Sequence, residues 1–521
     1  MARRFNTWTD LLMSGAERWP HGVGFAVVRD GSPGEEIERQ AFVDQALRVS
    51  RGLQGLGLRK SSVAVLRGEP SISWAVTFAG VLLAGGMPAP IHARSTKAEL
   101  ARVMATARAD FAVVTAGSLA SDLDGQDADS RIITFEHISK DRPSVEEMFA
   151  LEPATPVLCH DTDPGVVMQT SGTTGHPKCV VHTHASHLEF IDRWCELTMT
   201  AEDRALSFLP LNHQSGLLLS WLSAYSLGSP YYQLSPFTLA GFWDAVRTYG
   251  ITWTSLIAPV PAYMLEAEPS ADDRNHKLRF VAGSRRPSEV VELERRFGIR
   301  LMRPYGSTET TIVAMSVDHD RPEVRGLTVE QLASCAGPPV REWAFRIMGE
   351  DGCELPRSTT GDLEVRGPSL FSHYLNDADA TARAFTEDGW FRTGDRAYVN
   401  EHGELFFVER AGNSIRRSGE IISAAEVEAT LLQHPGVRDA VVVAVADELR
   451  GQEVRACIVR APDSSVTAHE LFEHCLASLA KFKVPRYIDF WDEFPRTSTL
   501  KVSRGELKSD PALWADRYRK A

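Results

Sequence analysis

The octet Ser171-Gly172-Thr173-Thr174-Gly175-His176-Pro177-Lys178 has the composition needed to wrap a backbone around phosphate oxygens. Gly172 and Gly175 permit the tight dihedrals and close approach of an anion-binding turn, Ser171, Thr173 and Thr174 add hydroxyl donors, and Lys178 supplies a compact positive charge. That chemistry points to a polyphosphate ligand. The spacing differs from the common phosphate-binding loop, where GK is followed by Ser or Thr and opens a helix; here Pro177 stands between the glycine and the lysine. Clusters of Ser, Thr and Gly between strands also serve as plain turns, and the octet alone leaves both readings open.

The loop must be carried by its flanks. Gly165 to Thr170 reads as a buried strand and Cys179 to His184 as another, so the octet joins two extended segments. Upstream, Val43, Ala46, Leu47 and Leu53 fall on one helical face. A buried strand from Ser62 to Leu66, helices over Trp74 to Ala84 and Lys97 to Ala107, and a strand from Phe111 to Val114 follow. This alternation predicts a layered α/β domain with parallel pairing. Past Gly361 come short alternating strands, Gly361 to Arg366 and Glu404 to Val408. After Arg410 the pattern changes again: helices over Glu426 to His434 and His469 to Leu479, and strands over Ala440 to Ala446, Val454 to Val459 and Tyr487 to Trp491. These suit a small α+β domain, with Gly412 at its border able to absorb a large dihedral change.

At 521 residues the chain exceeds one compact core. A formal net charge of −13 argues against non-specific binding to nucleic acid or anionic membrane, so an anionic ligand needs local positive charge. The 7 cysteines are odd in number, scattered and never arranged as CxxC, which favours reduced thiols in the cytoplasm over disulfides or a zinc site. The basic start Met1-Ala-Arg-Arg lacks the apolar stretch of a secretory signal, and Trp74 to Ala84 is too short to span a bilayer.

Five motifs occur in order: the octet, Tyr305-Gly306-Ser307-Thr308-Glu309, Trp390 to Asp395, Arg410 with Ser418-Gly419-Glu420, and Pro495 to Lys501. Together they resemble the ANL adenylate-forming superfamily over nearly the whole chain, and within it the acyl-coenzyme A ligases of the carnitine and crotonobetaine branch. The resemblance implies an α/β fold with a large N-terminal domain, 1–410, of layered α/β subdomains plus a distorted β-barrel-like part. A small mobile α+β C-terminal domain, 411–521, would carry Lys501 and part of a coenzyme A tunnel. It also implies ATP or acyl-AMP, Mg and coenzyme A as cofactors, with a small carboxylic acid as substrate.

By the same resemblance, Thr170, Ser171, Gly172, Thr173, Thr174, Gly175 and Lys178 hold the β- and γ-phosphates. Thr308 touches the α-phosphate and Glu309 helps to hold magnesium. Tyr305, followed by Gly306, lies against adenine, Asp395 accepts from the ribose hydroxyls, and Arg410 supports the same region. Lys501 neutralises charge at the transferring phosphate. His213 gates the passage between acyl pocket and thiol tunnel, and the helix from Val260 to Leu265 lines the acyl pocket. Ser418 and Gly419 border the pantetheine tunnel after rotation about Gly412. Arg416, Arg417, Lys481 and Lys483 either meet coenzyme A phosphates or form a solvated charged face.

The chain also departs from that pattern. Where the family has a glycine-glycine-alanine-proline wall beside adenine, it has Gly283-Ser284-Arg285-Arg286-Pro287, placing bulky charge where a flat purine should rest. Leu500 precedes Lys501 and His373 precedes Tyr374 where glycine is common, and Gly412 and Asn413 replace charged hinge residues. Several readings therefore stay open: a two-step ligase, an enzyme impaired in adenylation that takes a preformed adenylate from a partner enzyme, and a non-catalytic acyl-nucleotide binder. Amino-acid activation for a carrier protein is disfavoured, since 412–420 resembles the ligase pattern and no carrier domain follows Ala521.

Overall fold

The computed structural model describes residues 3–29, 32–115, 131–137, 142–170, 178–256, 260–282, 287–317, 334–410, 415–417, 420–447, 450–479, 481–496 and 502–508. Strand Val63–Arg67 is buried at all five positions, as a strand covered on both faces must be. It forms the inner part of an all-parallel four-stranded sheet with Met87–Ile91, Phe111–Val114 and Arg131–Thr134. Helices Arg39–Gly55 and Ile72–Leu83 pack closely together; Gly80 lets them approach, because a Cβ there would lie 2.8 Å from Val49. Ser71 and Thr96 cap the helices Ile72–Leu83 and Lys97–Ala107 by accepting backbone N–H bonds.

The second sheet has eight strands. Its six central members, in spatial order Arg300–Tyr305, Phe280–Ala282, Trp253–Ser255, Ala205–Ser207, Tyr231–Leu234 and Val23–Arg29, run parallel. Antiparallel strands Ala314–Val317 and Ser32–Glu38 close its two edges. A five-stranded antiparallel sheet, built from Cys335–Gly337, Leu405–Arg410, Phe391–Val399, Gly361–Arg366 and Ala344–Met348, supplies the barrel-like part.

Beyond residue 415, strands Val437–Asp447 and Gly451–Arg460 form a long hairpin flanked by Ile415–Arg417, Glu420–Ile422 and Tyr487–Trp491. Helices Ala424–Leu432 and Ala468–Ser478 cover it, and Ile415, Val427, Leu431, Val442, Ile458 and Leu471 make a core of its own. The expected α/β class and its small α+β C-terminal part are therefore present. The two extended segments on either side of the octet form as expected. Strands Pro164–Gln169 and Cys179–Thr183 pair antiparallel, because the short connection between them permits a hairpin and no crossover. All seven cysteines are free thiols, and only Cys353 is exposed. Among the described residues no helix is long and apolar enough to cross a membrane.

Candidate active site

The hairpin fixes both ends of the phosphate-type loop. Thr170 N–H donates to the Lys178 carbonyl at 3.0 Å, and Lys178 N–H donates to Thr170 Oγ1 at 3.2 Å. Ser171, Gly172, Thr173, Thr174 and Gly175, between these ends, lie outside the described residues. A third strand, His373–Tyr374, pairs with Cys179–Thr183 and places Tyr374 opposite Val180. The ring of Tyr374 then sits beneath Lys178, whose Nζ is 4.3 Å from the ring centroid, while its hydroxyl donates to Glu309 Oε1 at 2.9 Å. Burial of the neighbouring His373 lowers its pKa.

The loop after strand Arg300–Tyr305 folds back on itself. Ser307 N–H donates to Thr310 Oγ1 at 2.8 Å, Thr311 N–H to the Ser307 carbonyl at 2.9 Å, and Phe371 N–H to the Glu309 carbonyl at 2.8 Å. Thr311 adopts a left-handed φ of 61° to make the turn. Gly306 is required by contact: a Cβ there would lie 1.6 Å from the Thr311 carbonyl oxygen. The Tyr-Gly dipeptide is thus a packing necessity as well as a motif.

Tyr305 and Asp395 meet directly, the phenol donating to Asp395 Oδ2 at 2.7 Å. Asp395 is buried in strand Phe391–Val399 and donates its N–H to Thr393 Oγ1 at 3.0 Å. Strand register sets it opposite Arg410 at the end of Leu405–Arg410. The side chain of Arg410 lies outside the described residues.

His213 is half-buried, and its Nδ1 accepts from Ser215 N–H at 3.2 Å, so in the neutral ring the proton sits on Nε2. It precedes a π-helix, Ser215–Leu222, where the hydroxyls of Ser220 and Ser223 donate to the carbonyls of Ser215 and Leu218, both at 2.7 Å. The wider helical repeat is met by side-chain bonds reaching five residues back. The helix Val260–Glu266 forms as expected, with Val260 and Met264 buried and Tyr263 exposed.

Three residues overlooked in the motifs join this site. Tyr374 bridges Lys178 and Glu309. His182 Nε2 and Gln214 Nε2 both contact the Thr308 carbonyl, at 2.7 and 2.9 Å. Their only sequence signal was adjacency: His182 lies just beyond the octet, Gln214 follows His213, and Tyr374 follows an atypical His373. His182, His184 and His187 form a buried group, with the rings of His182 and His187 stacked 4.1 Å apart. Burial holds His182 and His184 down to about 4 and His187 well below its usual value.

Lys501, Gly283, Ser284, Arg285, Arg286, Gly412, Asn413, Ser418 and Gly419 all lie outside the described residues. Of the basic residues considered for coenzyme A phosphates, Arg417 pairs with buried Glu453 at 2.8 Å and Lys483 with Glu426 at 2.7 Å. Neither is a spare cation in this structure.

A magnesium ion suits the donor set. Glu309 offers one carboxylate whose Oε1 is oriented by Tyr374, and among the described residues no group of three His, Cys, Asp or Glu could hold a metal alone. Such a site relies on ligand phosphate oxygens to complete the shell, which is how magnesium is usually held beside nucleotides.

A loop of phosphate-binding composition held at its ends by a hairpin, a Tyr–Asp pair and a glutamate on an α/β fold with a C-terminal α+β part make up the class of an adenylate-forming enzyme. The chain belongs to the AMP-binding enzyme family, whose pattern matches residues 18–375, and residues 426–501 match the AMP-binding enzyme C-terminal domain. A crotonobetaine/carnitine–CoA ligase of Salmonella arizonae is 28% identical over 479 residues, covering 88% of this chain and 91% of that one. The fold is shared with ATP-bound MatB from Rhodopseudomonas palustris, with a TM-score of 0.85 and 23% identity over 96% of this chain and 98% of that one. It is shared too with o-succinylbenzoate CoA synthetase from Bacillus subtilis in complex with its acyl-adenylate, with a TM-score of 0.82 and 24% identity over 98% and 99%.

Proposed function

We propose that this protein is an AMP-forming acyl-coenzyme A ligase. The observation that carries the reading is the contact series Lys178–Tyr374–Glu309, which brings a cation to the ring and a carboxylate to the hydroxyl of one tyrosine at the end of the clamped loop. A carboxylate oxygen attacks the α-phosphorus of ATP, the bond to pyrophosphate breaks, and an acyl-adenylate forms. The sulfur of coenzyme A then attacks the acyl carbon and AMP leaves, with the thiol proton passing to solvent.

The first step brings an anion to an anion, so positioning and fixed charge carry it more than proton transfer does. Lys178 and the hydroxyls of the octet hold the outer phosphates, and Thr308 stands beside the α-phosphate. Glu309 would hold magnesium, which when bound neutralises charge on the phosphate oxygens. Asp395, oriented by the Tyr305 phenol, takes the ribose hydroxyls, and Tyr305 offers its ring to adenine. Lys501 approaches from the small unit for adenylation and withdraws for thioester formation, with 1–410 and 411–521 turning about Gly412. The last-named movement brings Ser418 and Gly419 to the thiol arm, and His213 gates its entry.

The Gly283-Ser284-Arg285-Arg286 segment favours a second reading, in which adenylation is impaired and an acyl-adenylate supplied by another enzyme is the true substrate. The deciding experiment screens carboxylic acids and their adenylates with coenzyme A, measuring pyrophosphate release and thioester formation separately. Both steps support the two-step ligase; thioester from a supplied adenylate alone supports the second reading. Tight acyl-AMP binding with no thioester under any condition would leave only a non-catalytic binder.

A further inference from the structure

Two segments remote in sequence from Thr308 converge on one atom, its carbonyl oxygen. His182 Nε2 lies 2.7 Å from it and Gln214 Nε2 2.9 Å, from positions 126 and 94 residues away. A carbonyl only accepts, so His182 must carry its proton on Nε2. Its Nδ1 is then the acceptor for the Ser186 hydroxyl at 3.1 Å, in preference to that hydroxyl donating to the Thr183 carbonyl at 3.2 Å. The His187 ring stacked on His182 and the full burial of both leave the donor little freedom.

Gln214 is as constrained. It is buried, it follows His213, whose own ring is fixed by Ser215 N–H, and it opens the π-helix. Both lone pairs of the Thr308 carbonyl are thus filled by side chains, one from the strand that ends the phosphate-type loop and one from the gate segment.

We propose that His182 and Gln214 are positioning residues that hold Thr308 and Glu309 in register with the phosphate-side strand and the gate, so that a shift of Thr308 is transmitted to His213. The inference rests on the proposed function in taking Thr308 and Glu309 as the phosphate and metal contacts. Neither side chain touches the reacting atoms; each acts through the carbonyl.

The test uses the full-length protein with His182→Leu and Gln214→Met, which remove a donor at similar volume, and His182→Gln, which returns an N–H at similar reach. With an acid that the wild type adenylates, each loss of a donor should cut kcat for pyrophosphate release by about ten- to a hundredfold, as misplacement of a reacting group does. KM for ATP should stay within about threefold, the mark of an interaction used in the transition state. His182→Gln should recover most of the rate, and the double variant should lose less than the product of the single losses, because both donors serve one acceptor. Losses confined to thermal stability, or multiplicative and unrescued, would overturn the proposal. Gln214→Met, at the start of the π-helix, covers the case in which His182→Leu does not fold. If the wild type turns over no acid, the ligase reading fails and hydrogen exchange decides instead: exchange of the 307–311 amides about tenfold faster in Gln214→Met supports the positioning role, and unchanged exchange overturns it.

Discussion

The Tyr374 phenol donates to Glu309 Oε1 at 2.9 Å while the Lys178 ammonium lies 4.3 Å from the centroid of the same ring. One aromatic side chain therefore touches both a cation and a carboxylate, from residues 131 positions apart in the chain.

Tyr374→Phe keeps the ring beneath Lys178 and removes only the bond to Glu309. The lost neutral-to-charged hydrogen bond should cost about 1.5–3 kcal/mol where it orients the carboxylate, or roughly ten- to a hundredfold in pyrophosphate release. Thioester formation from a supplied adenylate should be much less affected. Unchanged pyrophosphate release across magnesium concentrations would remove Glu309 orientation from the account.

Gly306→Ala cannot be accommodated without moving the loop, since the new methyl would meet the Thr311 carbonyl at 1.6 Å. Both half-reactions should fall by at least about a hundredfold, given the usual effect of a displacement near 1 Å. Circular dichroism should show the global fold retained. A fully active alanine variant would mean that the turn relaxes freely.

Tyr305→Phe removes the phenol that donates to Asp395 at 2.7 Å but keeps the aromatic face. If Asp395 serves ribose, the loss falls on nucleotide binding: KM for ATP and the dissociation constant for AMP should both rise by about tenfold, with kcat little changed. A fall in kcat alone would reassign the pair.

Lys501→Ala should abolish most adenylation while sparing thioester formation from acyl-AMP, with a difference between the two losses of about a hundredfold or more, as for other fixed charges aimed at a developing anion. Equal losses would contradict a role confined to the first step.

Stability should depend on pH through the buried histidines. Burial holds His182 and His184 to about 4, and His187 well below its ordinary value with help from the other two rings. Between the unfolded value near 6.5 and these folded values the unfolded chain binds more protons, so stability is present above about pH 6.5 and falls as pH drops. The limiting slope is about 1.4 kcal/mol per pH unit for each histidine. Both ring nitrogens of His187 lack partners, so His187→Phe removes a group that gains nothing from its polarity. Its thermal midpoint should fall less than the wild type's between pH 7 and pH 5, and an identical fall would show that His187 does not titrate with unfolding.

Much of the fold was legible because it follows from periodicity. The helix at Lys97–Ala107 and the strand at Phe111–Val114 match the spacing of their apolar residues and, for the helix, the Thr96 cap. The antiparallel hairpin around the octet was less so, since strand direction depends on the conformation of the connecting loop. Glu309, Asp395 and Thr308 could be singled out because they stand inside ordered motifs. Tyr374, His182 and Gln214 could not, because each works through a contact across segments that are distant in the chain. Nothing in the residue type of His182 distinguishes a buried donor from core filling until the Thr308 carbonyl is seen beside it.

The π-helix at Ser215–Leu222 also bears on how residues are matched between relatives. A π-turn uses more residues than an α-turn, and the bonds from Ser220 and Ser223 to carbonyls five back fix that surplus in place. A homologue with ordinary α-helix here would span the same distance with fewer residues. Counting back from the helix would then land beside His213 rather than on it, so the residue at this position has to be equated by superposition of the helix start.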